Sequence, residues 1–365
     1  MRSRPPRRVL GLLPLVLIMS LSGCSTPYLI HLGIGQSRIM LARKDYPAVL
    51  KDPDIGTPAK SLMLVIQEVK NFGEETLGLK KTDSFGSYVK LDREAVSWNV
   101  MAAEKTSLES YEWWFPIVGR VPYKGYFSTT RAEKEARRLA EKGYDTYVGG
   151  VTAYSTLGYF ADPVFSTFLR FPESEIPELI LHELTHATLF IKGEVDFNEG
   201  FATFVGHKGG LAFLEERFGP DSEPLQEATA RFRDEVMFGK FIANLSDKLE
   251  ALYKEGHPED RTLQERETIF NEGKHAFVDL QNSFTTKRYE GFAAAEWNNA
   301  LILAHRRYDG DLPAFEKLYA QVGGDLQRMF DFFRDVKGRG ENPLEALRRA
   351  TLDAGEEDAT TGERS

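Results

Sequence analysis

One segment, residues 176–192, constrains the fold of this chain more than any other. Pro177 near its start and Gly193 just beyond its end are typical of helix boundaries, so the sequence predicts a helix here. Between residues 179 and 191 the polar positions are few: His182, Glu183, Thr185, His186 and Thr188. A helix that is apolar around its whole circumference belongs in a protein interior. The fold must therefore bury two histidines and a glutamate, which is costly unless something compensates them.

The two histidines are four residues apart, which places both imidazoles on one face of the helix, one turn from each other. Two ligands of one tetrahedral zinc ion require this spacing. Glu183 follows the first histidine, so its carboxylate can reach a water on the metal without itself being a ligand. The stretch HELTH at 182–186 therefore has the H-E-x-x-H arrangement of zinc proteases, and a bound Zn²⁺ would compensate the buried charges.

A third protein ligand has to come from another part of the chain. The metzincin continuation needs Gly at 189 and His at 192, where this sequence has Leu189 and Lys192, so that class is excluded. Twelve residues separate His186 from Glu199. The helix climbs about 9 Å after His186, and the next six residues can span up to about 20 Å. We predict that Glu199 returns to the histidines from a neighbouring helix, with His207 as the alternative ligand.

The N-terminus predicts export and lipidation. Arginines precede an apolar run at residues 9–21, which is shorter than the roughly 20 residues of a membrane-spanning helix, so residues 1–23 are predicted to be a signal peptide. Leu21-Ser22-Gly23-Cys24 resembles the lipobox of bacterial lipoproteins, in which the cysteine carries the lipid. The alternative is a free thiol after an ordinary signal peptide. The resemblance to Gram-negative lipoproteins implies, because Ser25 rather than Asp follows the cysteine, an anchor in the outer membrane on the side that faces the periplasm.

Composition limits the chemistry of the mature chain. Cys24 is the only cysteine, so the mature chain has no disulfide and any metal must bind through nitrogen and oxygen. The chain has 55 Asp and Glu against 46 Lys and Arg, without a basic block, so nucleic acid is not an expected partner. Lipid on Cys24 would make the protein anchored to a membrane without spanning it.

The pattern along the chain predicts an α+β fold that is mostly helical. Residues 25–56 are predicted to be a tether that leads into a short helix. Helices are predicted at 57–77, 130–142, 176–192 and from about 198, and strands at 87–91, 97–102 and 144–148 with a further extended run at 151–157. From about 210 the periodicity is helical, with breaks at 219–220, 256–258 and 323–324.

These elements predict a single catalytic domain. It would span residues 24–351, with a small mixed sheet in an N-terminal lobe at about 57–208 and a helical lobe at about 209–351. Residues 352–365 are polar and are predicted to be a disordered tail.

Several strings in the sequence resemble known zinc peptidases. HELTH followed by NEGFA at 198–202 resembles the gluzincins, and NEGFA is similar to the third-ligand segment of the large zinc aminopeptidases, whose two motifs lie further apart. Other strings are similar to a narrower family, the zinc aminopeptidases found as bacterial lipoproteins: YKGYFS at 123–128, AYSTLGYFADP at 153–163 and WNNA at 297–300. With the lipobox, the resemblance covers nearly the whole mature chain.

The resemblance implies a zincin-like peptidase with His182, His186 and Glu199 as zinc ligands and Glu183 as the catalytic residue. One segment departs from the large aminopeptidases, which hold the free amine of the substrate with a glutamate in a strand beside the zinc helix. Residues 151–157 contain no acid, and Asp162 is the nearest candidate. A zinc endopeptidase therefore remains an alternative to an aminopeptidase. A non-catalytic envelope lipoprotein with a structural zinc is the alternative from another class.

A zinc peptidase needs further residues besides its ligands. Glu183 would act as the general base, and the run at 151–157 would bind the peptide as an edge strand. Tyr154 and Tyr126 are the candidates for stabilising the oxyanion. Asp196 and Asp162 are the two candidates for orienting a ligand histidine; the sequence does not choose between them.

Overall fold

A computed structural model describes residues 26–115, 119–153, 161–309 and 311–361 of this chain. Its helices are α1 Thr26–Leu41, α2 Tyr46–Lys51, α3 Thr57–Glu75, α4 Thr129–Ala140, α5 Ile176–Thr188, α6 Val195–Phe218, α7 Glu223–Lys254, α8 Glu259–Gln281, α9 Asn299–Asp309, α10 Leu312–Gln321, α11 Leu326–Arg339 and α12 Pro343–Thr361. Its strands are β1 Lys44–Asp45, β2 Ser87–Val89, β3 Ser97–Ala103, β4 Trp113–Phe115, β5 Gly119–Val121, β6 Lys124–Tyr126, β7 Asp145–Val151 and β8 Val164–Phe165. The prediction of a mostly helical α+β fold is confirmed.

The chain divides into two compact units, Met1–Ala42 and Arg43–Ser365. In the first unit the described part is α1, so the predicted tether is wrong for residues 26–41. Leu, Ile, Met, Gln and Arg dominate this segment and favour a helix despite its two glycines. None of the described helices combines the length and the apolar character that a membrane crossing needs. The predicted signal peptide and Cys24 lie outside the described residues.

The strands of the second unit are short and form mixed sheets. In one sheet β2 pairs with β1 antiparallel and with β8 parallel; in another, β3 lies between β6 and β7, antiparallel to both; and β4 and β5 form a hairpin. The strand predicted at 144–148 continues through Gly149 and Gly150 as β7, because that whole segment pairs with β3. Among the described strands, β7 lies at an edge of its sheet. Residues 154–157 of the extended run predicted at 151–157 lie outside the described residues.

The histidine-bearing helix α5 ends four residues earlier than predicted. Leu189 is already extended, with φ −140° and ψ 118°. The cause lies in the next helix, where the side chain of Asn198 binds the backbone of Ile191 at two points: Ile191 N–H donates to Asn198 Oδ1 at 2.9 Å, and Asn198 Nδ2 donates to the Ile191 carbonyl at 2.7 Å. The chain therefore leaves α5 at Thr188 and returns as α6 from Val195.

Helix α6 lies between α5 and an aromatic cluster. Its Phe197 and Phe201 pack against Phe333 of α11, with ring centroids 4.7 and 5.0 Å apart. Each fully buried phenylalanine contributes about 1.5–3 kcal/mol to folding. On the opposite face, a Cβ on Gly206 would lie 2.7 Å from the carbonyl oxygen of Glu178 in α5. Only glycine allows this approach, so it fixes the distance between the two helices.

The WNNA string at 297–300 joins the sheet to the helical half of the molecule. Asn298 Nδ2 donates to the Thr146 carbonyl of β7 at 3.1 Å, and Asn299 Nδ2 donates to the carbonyls of Glu104 and Ser107 at 2.8 and 3.0 Å. Trp297 belongs to the main helical core, which includes Phe238, Ile242, Leu245, Leu249, Phe270, Phe277, Tyr289, Phe292, Leu301 and Ile302. The resemblance of this string to the family therefore rests on residues that support the fold.

The C-terminal segment also differs from its prediction. The last helix, α12, extends to Thr361, so the backbone of residues 352–361 is helical where the sequence predicts disorder. Alanine and glutamate are frequent in this stretch, and both are good helix formers.

Candidate metal centre

Helix α5 brings the two histidines of HELTH together. The Nε2 atoms of His182 and His186 lie 3.1 Å apart, and the ring planes cross at 84°. Four residues of helix separate them, so this convergence follows directly from the spacing in the sequence. Both imidazoles therefore present a nitrogen to the same point, and His186 is buried.

Glu199 meets the two histidines from α6. Its Oε2 lies 3.5 Å from Nε2 of His182 and 3.5 Å from Nε2 of His186. Metal–ligand bonds of about 2.0–2.1 Å at tetrahedral angles would place neighbouring ligand atoms about 3.3 Å apart. The triangle of two nitrogens and one oxygen therefore fits a zinc ion, and it leaves the fourth position of a tetrahedron to a non-protein ligand.

Glu183 lies beside this triangle and contributes no atom to it. It is buried, and its Oε2 has no hydrogen-bond partner among the described residues. Burial raises the pKa of Glu183, as do the charges of Glu199 and Asp162, whereas His182 and His186 oppose the shift. A buried carboxyl with a raised pKa beside a candidate metal site has the properties of a general base.

The residues of the triangle perturb one another's protonation. Burial would raise the pKa of Glu199, but the imidazoles of His186 and His182 hold it well below its usual range. Burial would lower the pKa of His186, but Glu199 raises it above the usual value for histidine. Among the described residues no lysine or arginine forms an ion pair with Glu183 or Glu199, so positive charge at this point comes from the histidines alone. We call His182, Glu183, His186 and Glu199 the HExxH cluster.

The other residues of NEGFA explain how Glu199 is held in position. Asn198 fixes the turn before it through Ile191, as described above. A Cβ on Gly200 would lie 3.3 Å from Cε2 of Phe315, so this position packs tightly against α10. Phe201 and Ala202 are buried. The string thus combines one candidate ligand with residues that fix the position of its helix.

Thr203, which the sequence did not suggest as a site residue, contacts His182. Its Oγ1 lies 3.5 Å from Nδ1 of His182, the ring nitrogen that points away from the triangle. Thr203 is four residues after Glu199, so both project from the same face of α6. That spacing is the signal that could have identified it.

The remaining candidates lie as follows. Asp162 is buried close enough to influence Glu183, and its backbone is held by the Ser84 hydroxyl, which accepts from Asp162 N–H at 3.1 Å. Asp196 is half exposed and accepts a hydrogen bond from Arg307 Nε at 2.8 Å. Tyr126 is a buried residue of β6, with Lys124 Nζ 5.6 Å from its ring centroid. Tyr154 lies outside the described residues.

His207, the alternative ligand, is not part of the HExxH cluster. Its Nδ1 lies 3.3 Å from Oε2 of Glu178, and its Nε2 lies 2.5 Å from Oε2 of Glu235. Arg231 and Arg288 reach the same carboxylates, at 3.5 Å from Glu178 and 3.1 Å from Glu235 respectively. We call these residues, with Glu175, the His207 cluster.

Comparison with known proteins gives one result that covers most of the chain. A family model described as "Putative aminopeptidase" matches residues 27–349. No curated protein and no solved structure matches the chain.

Proposed function

The chain belongs to the family described as "Putative aminopeptidase", and on that basis we propose that it is a zinc-dependent peptidase that removes N-terminal residues from peptides. The observation that supports zinc binding is the triangle formed by His182, His186 and Glu199, with edges of 3.1, 3.5 and 3.5 Å. The proposal includes a zincin-like arrangement, in which a sheet with an exposed edge lies beside the helix that bears the histidines.

In the proposed reaction, His182, His186 and Glu199 hold the metal. When bound, zinc would supply a Lewis acid that polarises the scissile carbonyl and makes water more acidic. Glu183 accepts a proton from the attacking water, whose oxygen bonds to the carbonyl carbon. Glu183 then passes that proton to the nitrogen of the leaving amine as the peptide bond breaks. Burial, which raises the pKa of Glu183, supports both steps.

The peptide would bind along the sheet. β7 lies at an edge among the described strands, and the part of it beyond Thr146, whose carbonyl accepts from Asn298, is proposed to pair with an extended peptide. Tyr154, in the chain that follows β7, and Tyr126 are the proposed donors to the oxyanion. Asp162 is the proposed partner of the free amine, since its charge already acts on Glu183.

The cell envelope is the proposed location. The lipobox at 21–24 supports lipidation of Cys24, and Ser25 favours the outer membrane. Lipidation would hold the catalytic unit at a membrane surface that faces the periplasm.

The first experiment measures zinc content and peptide hydrolysis for the wild type and for Glu183→Gln. We expect the variant to keep its zinc and to lose about 10²–10⁴-fold in kcat/KM, because it lacks the proton acceptor. Glu215→Gln, an equal change at an exposed position of α6, is the matched control and should behave like the wild type. Full activity in a zinc-loaded Glu183→Gln protein would remove Glu183 from the mechanism.

A second experiment separates the kinds of peptidase. Peptides with a free N-terminus and the same peptides with an acetylated N-terminus are compared. The aminopeptidase proposal expects hydrolysis of the free peptides only. Equal cleavage of the acetylated peptides would indicate an endopeptidase, and bound zinc without turnover of any peptide would indicate a structural zinc in a non-catalytic lipoprotein.

A further inference from the structure

Helix α1 exposes a continuous apolar face. Its large exposed side chains are Leu29, Ile30, Ile34, Met40 and Leu41, with exposures of 48, 57, 50, 40 and 87%. At about 100° per residue these positions fall within an arc of about 140°. Gly33 and Ser37 are exposed in the same arc, and Ser37 lies at its centre.

The chemistry of this face does not suit water. Between Thr26 and Leu41 the sole charged residue is Arg38, and it lies at the border of the arc. Exposed helix faces of soluble proteins are normally polar, and a contiguous apolar patch marks a docking surface. Without acidic residues, nothing on the helix would repel an anionic surface.

We propose that α1 lies in the membrane–water interface, with the face formed by Leu29, Ile30, Ile34, Met40 and Leu41 directed into the lipid. The position of Cys24 identifies a lipid bilayer as the partner of this apolar face. One residue, Ser25, separates the lipidation site from Thr26, the first residue of α1, and the two steps along the chain span at most about 7 Å. A lipid on Cys24 therefore brings the start of α1 to the bilayer surface, where even a weak apolar affinity acts within one molecule.

This proposal rests on the lipidation of Cys24 for its geometry and is independent of the peptidase chemistry. It gives the anchor a second contact, because the apolar face of α1 would add its own apolar area to that of the lipid on Cys24. The mass of the mature N-terminal peptide tests lipidation by itself, so failure of the anchor and failure of the helix contact can be told apart.

The first test uses the lipidated full chain in vesicles of phosphatidylethanolamine and phosphatidylglycerol. Cys24 is the only native cysteine, so Ser37→Cys adds one free thiol at the centre of the face for an environment-sensitive dye. Leu64→Cys, on α3 and 49% exposed, is the matched control. We expect the emission of the dye at 37 to shift to the blue and to be quenched by a lipid-borne quencher, and the dye at 64 to remain accessible to iodide.

The second test removes the lipid. Mature chain with Cys24→Ser is partitioned onto the same vesicles, alone and with Ile30→Gln and Ile34→Gln together. We expect the double change to weaken binding by at least about tenfold, because it removes apolar area from the interface. Leu64→Gln with Val278→Gln, at 49 and 51% exposure, removes a comparable exposed area elsewhere and should not weaken binding.

Two results would overturn the proposal. Equal iodide quenching of the dyes at 37 and 64 in vesicles would show that the face does not enter lipid. Protection of the dye at 37 without vesicles, together with a dimer in solution, would assign the face to a second copy of the chain. Hydrolysis of soluble peptides should be the same in the Ile30→Gln, Ile34→Gln chain and in the wild type, whichever result is found.

Discussion

The two helices α5 and α6 carry two clusters of histidines and glutamates, and the clusters differ in where their positive charge comes from. In both, a histidine of one helix faces a glutamate of the other: His182 and His186 face Glu199, and Glu178 faces His207. The key carboxylates and imidazoles of both clusters are largely withdrawn from solvent. Burial of negative charge is expensive without a compensating cation.

The His207 cluster contains its own cations. Its carboxylates, from Glu175, Glu178 and Glu235, lie within 3.5 Å of Arg231, Arg288 or His207. The HExxH cluster has no arginine or lysine paired with its carboxylates among the described residues. The same pair of residue types thus forms an internal ion network in one place and an incomplete set of donors in the other. In the proposed function, a bound zinc ion would complete the second.

Loss of Glu199 should give the largest effect on zinc binding and hydrolysis, and it should affect the HExxH cluster alone. Glu199→Gln removes the anionic ligand, so we expect zinc binding to weaken by more than the roughly 10–100-fold that loss of a supporting hydrogen bond costs, and hydrolysis to fall with it. Zinc titration with a competing chelator measures the first effect. Glu178→Gln, the corresponding carboxylate of the His207 cluster, should keep its zinc; equal loss of zinc in both variants would mean that the clusters are not distinct.

Loss of Glu235 should lower the stability of the fold and leave zinc binding unchanged. Glu235 is 2% exposed and faces His207 and Arg288. Glu235→Gln leaves buried positive charge uncompensated, so we expect a loss of about 3–5 kcal/mol in the free energy of unfolding, with zinc stoichiometry unchanged. Urea denaturation measures the loss. Glu341→Gln, which breaks exposed ion pairs with Arg339 and Arg349, is the control with a change of about 0–1 kcal/mol. A loss no larger than that of the control would show that the network contributes little.

The His207 cluster should also make stability depend on pH. Burial alone would lower the pKa of His207, but Glu178 and Glu235 raise it to about 10. A histidine whose pKa is raised on folding stabilises fully below its unfolded value, about 6.5, and this contribution is lost as the pH rises toward 10. We expect the stability difference between the wild type and His207→Gln to shrink across that window, by at most a few kcal/mol. A difference that stays constant from pH 6.5 to 10 would mean that His207 is not charged in the folded protein.

The sequence predicts the HExxH cluster because its information is local. A spacing of four on one helix determines how His182 and His186 meet, and the reach of the next twelve residues allows Glu199 to join them. The same spacing also relates Glu178 to His182 in α5, and Glu199, Thr203 and His207 in α6. Reading the two helices as an antiparallel pair would have matched His207 with Glu178 and excluded it as a zinc ligand.

The rest of the His207 cluster could not be found in this way. Glu235 and Arg288 reach it from segments that are remote in sequence, and no local pattern relates them to His207. The end of α5 at Thr188 has a similar origin, because Asn198 binds Ile191 from the following helix. Long-range contacts of this kind decide helix ends and polar partners, whereas helix identity and spacing follow from the local sequence.

Thr203 gives the smallest expected effect and the sharpest test of how α6 supports the metal site. With Nε2 of His182 directed at the metal, Nδ1 carries a proton and can donate to Thr203 Oγ1, 3.5 Å away. Thr203→Val removes that acceptor, and because the contact is long we expect about a tenfold loss of zinc affinity, at the lower end for such supporting bonds. Thr203→Ser should restore the wild-type affinity. Thr185→Val is the matched control, since the Thr185 hydroxyl donates to the Leu181 carbonyl at 2.7 Å, within its own helix. If Thr185→Val lowers zinc affinity as much as Thr203→Val does, the effect belongs to helix packing and the Thr203 contact has no separate role.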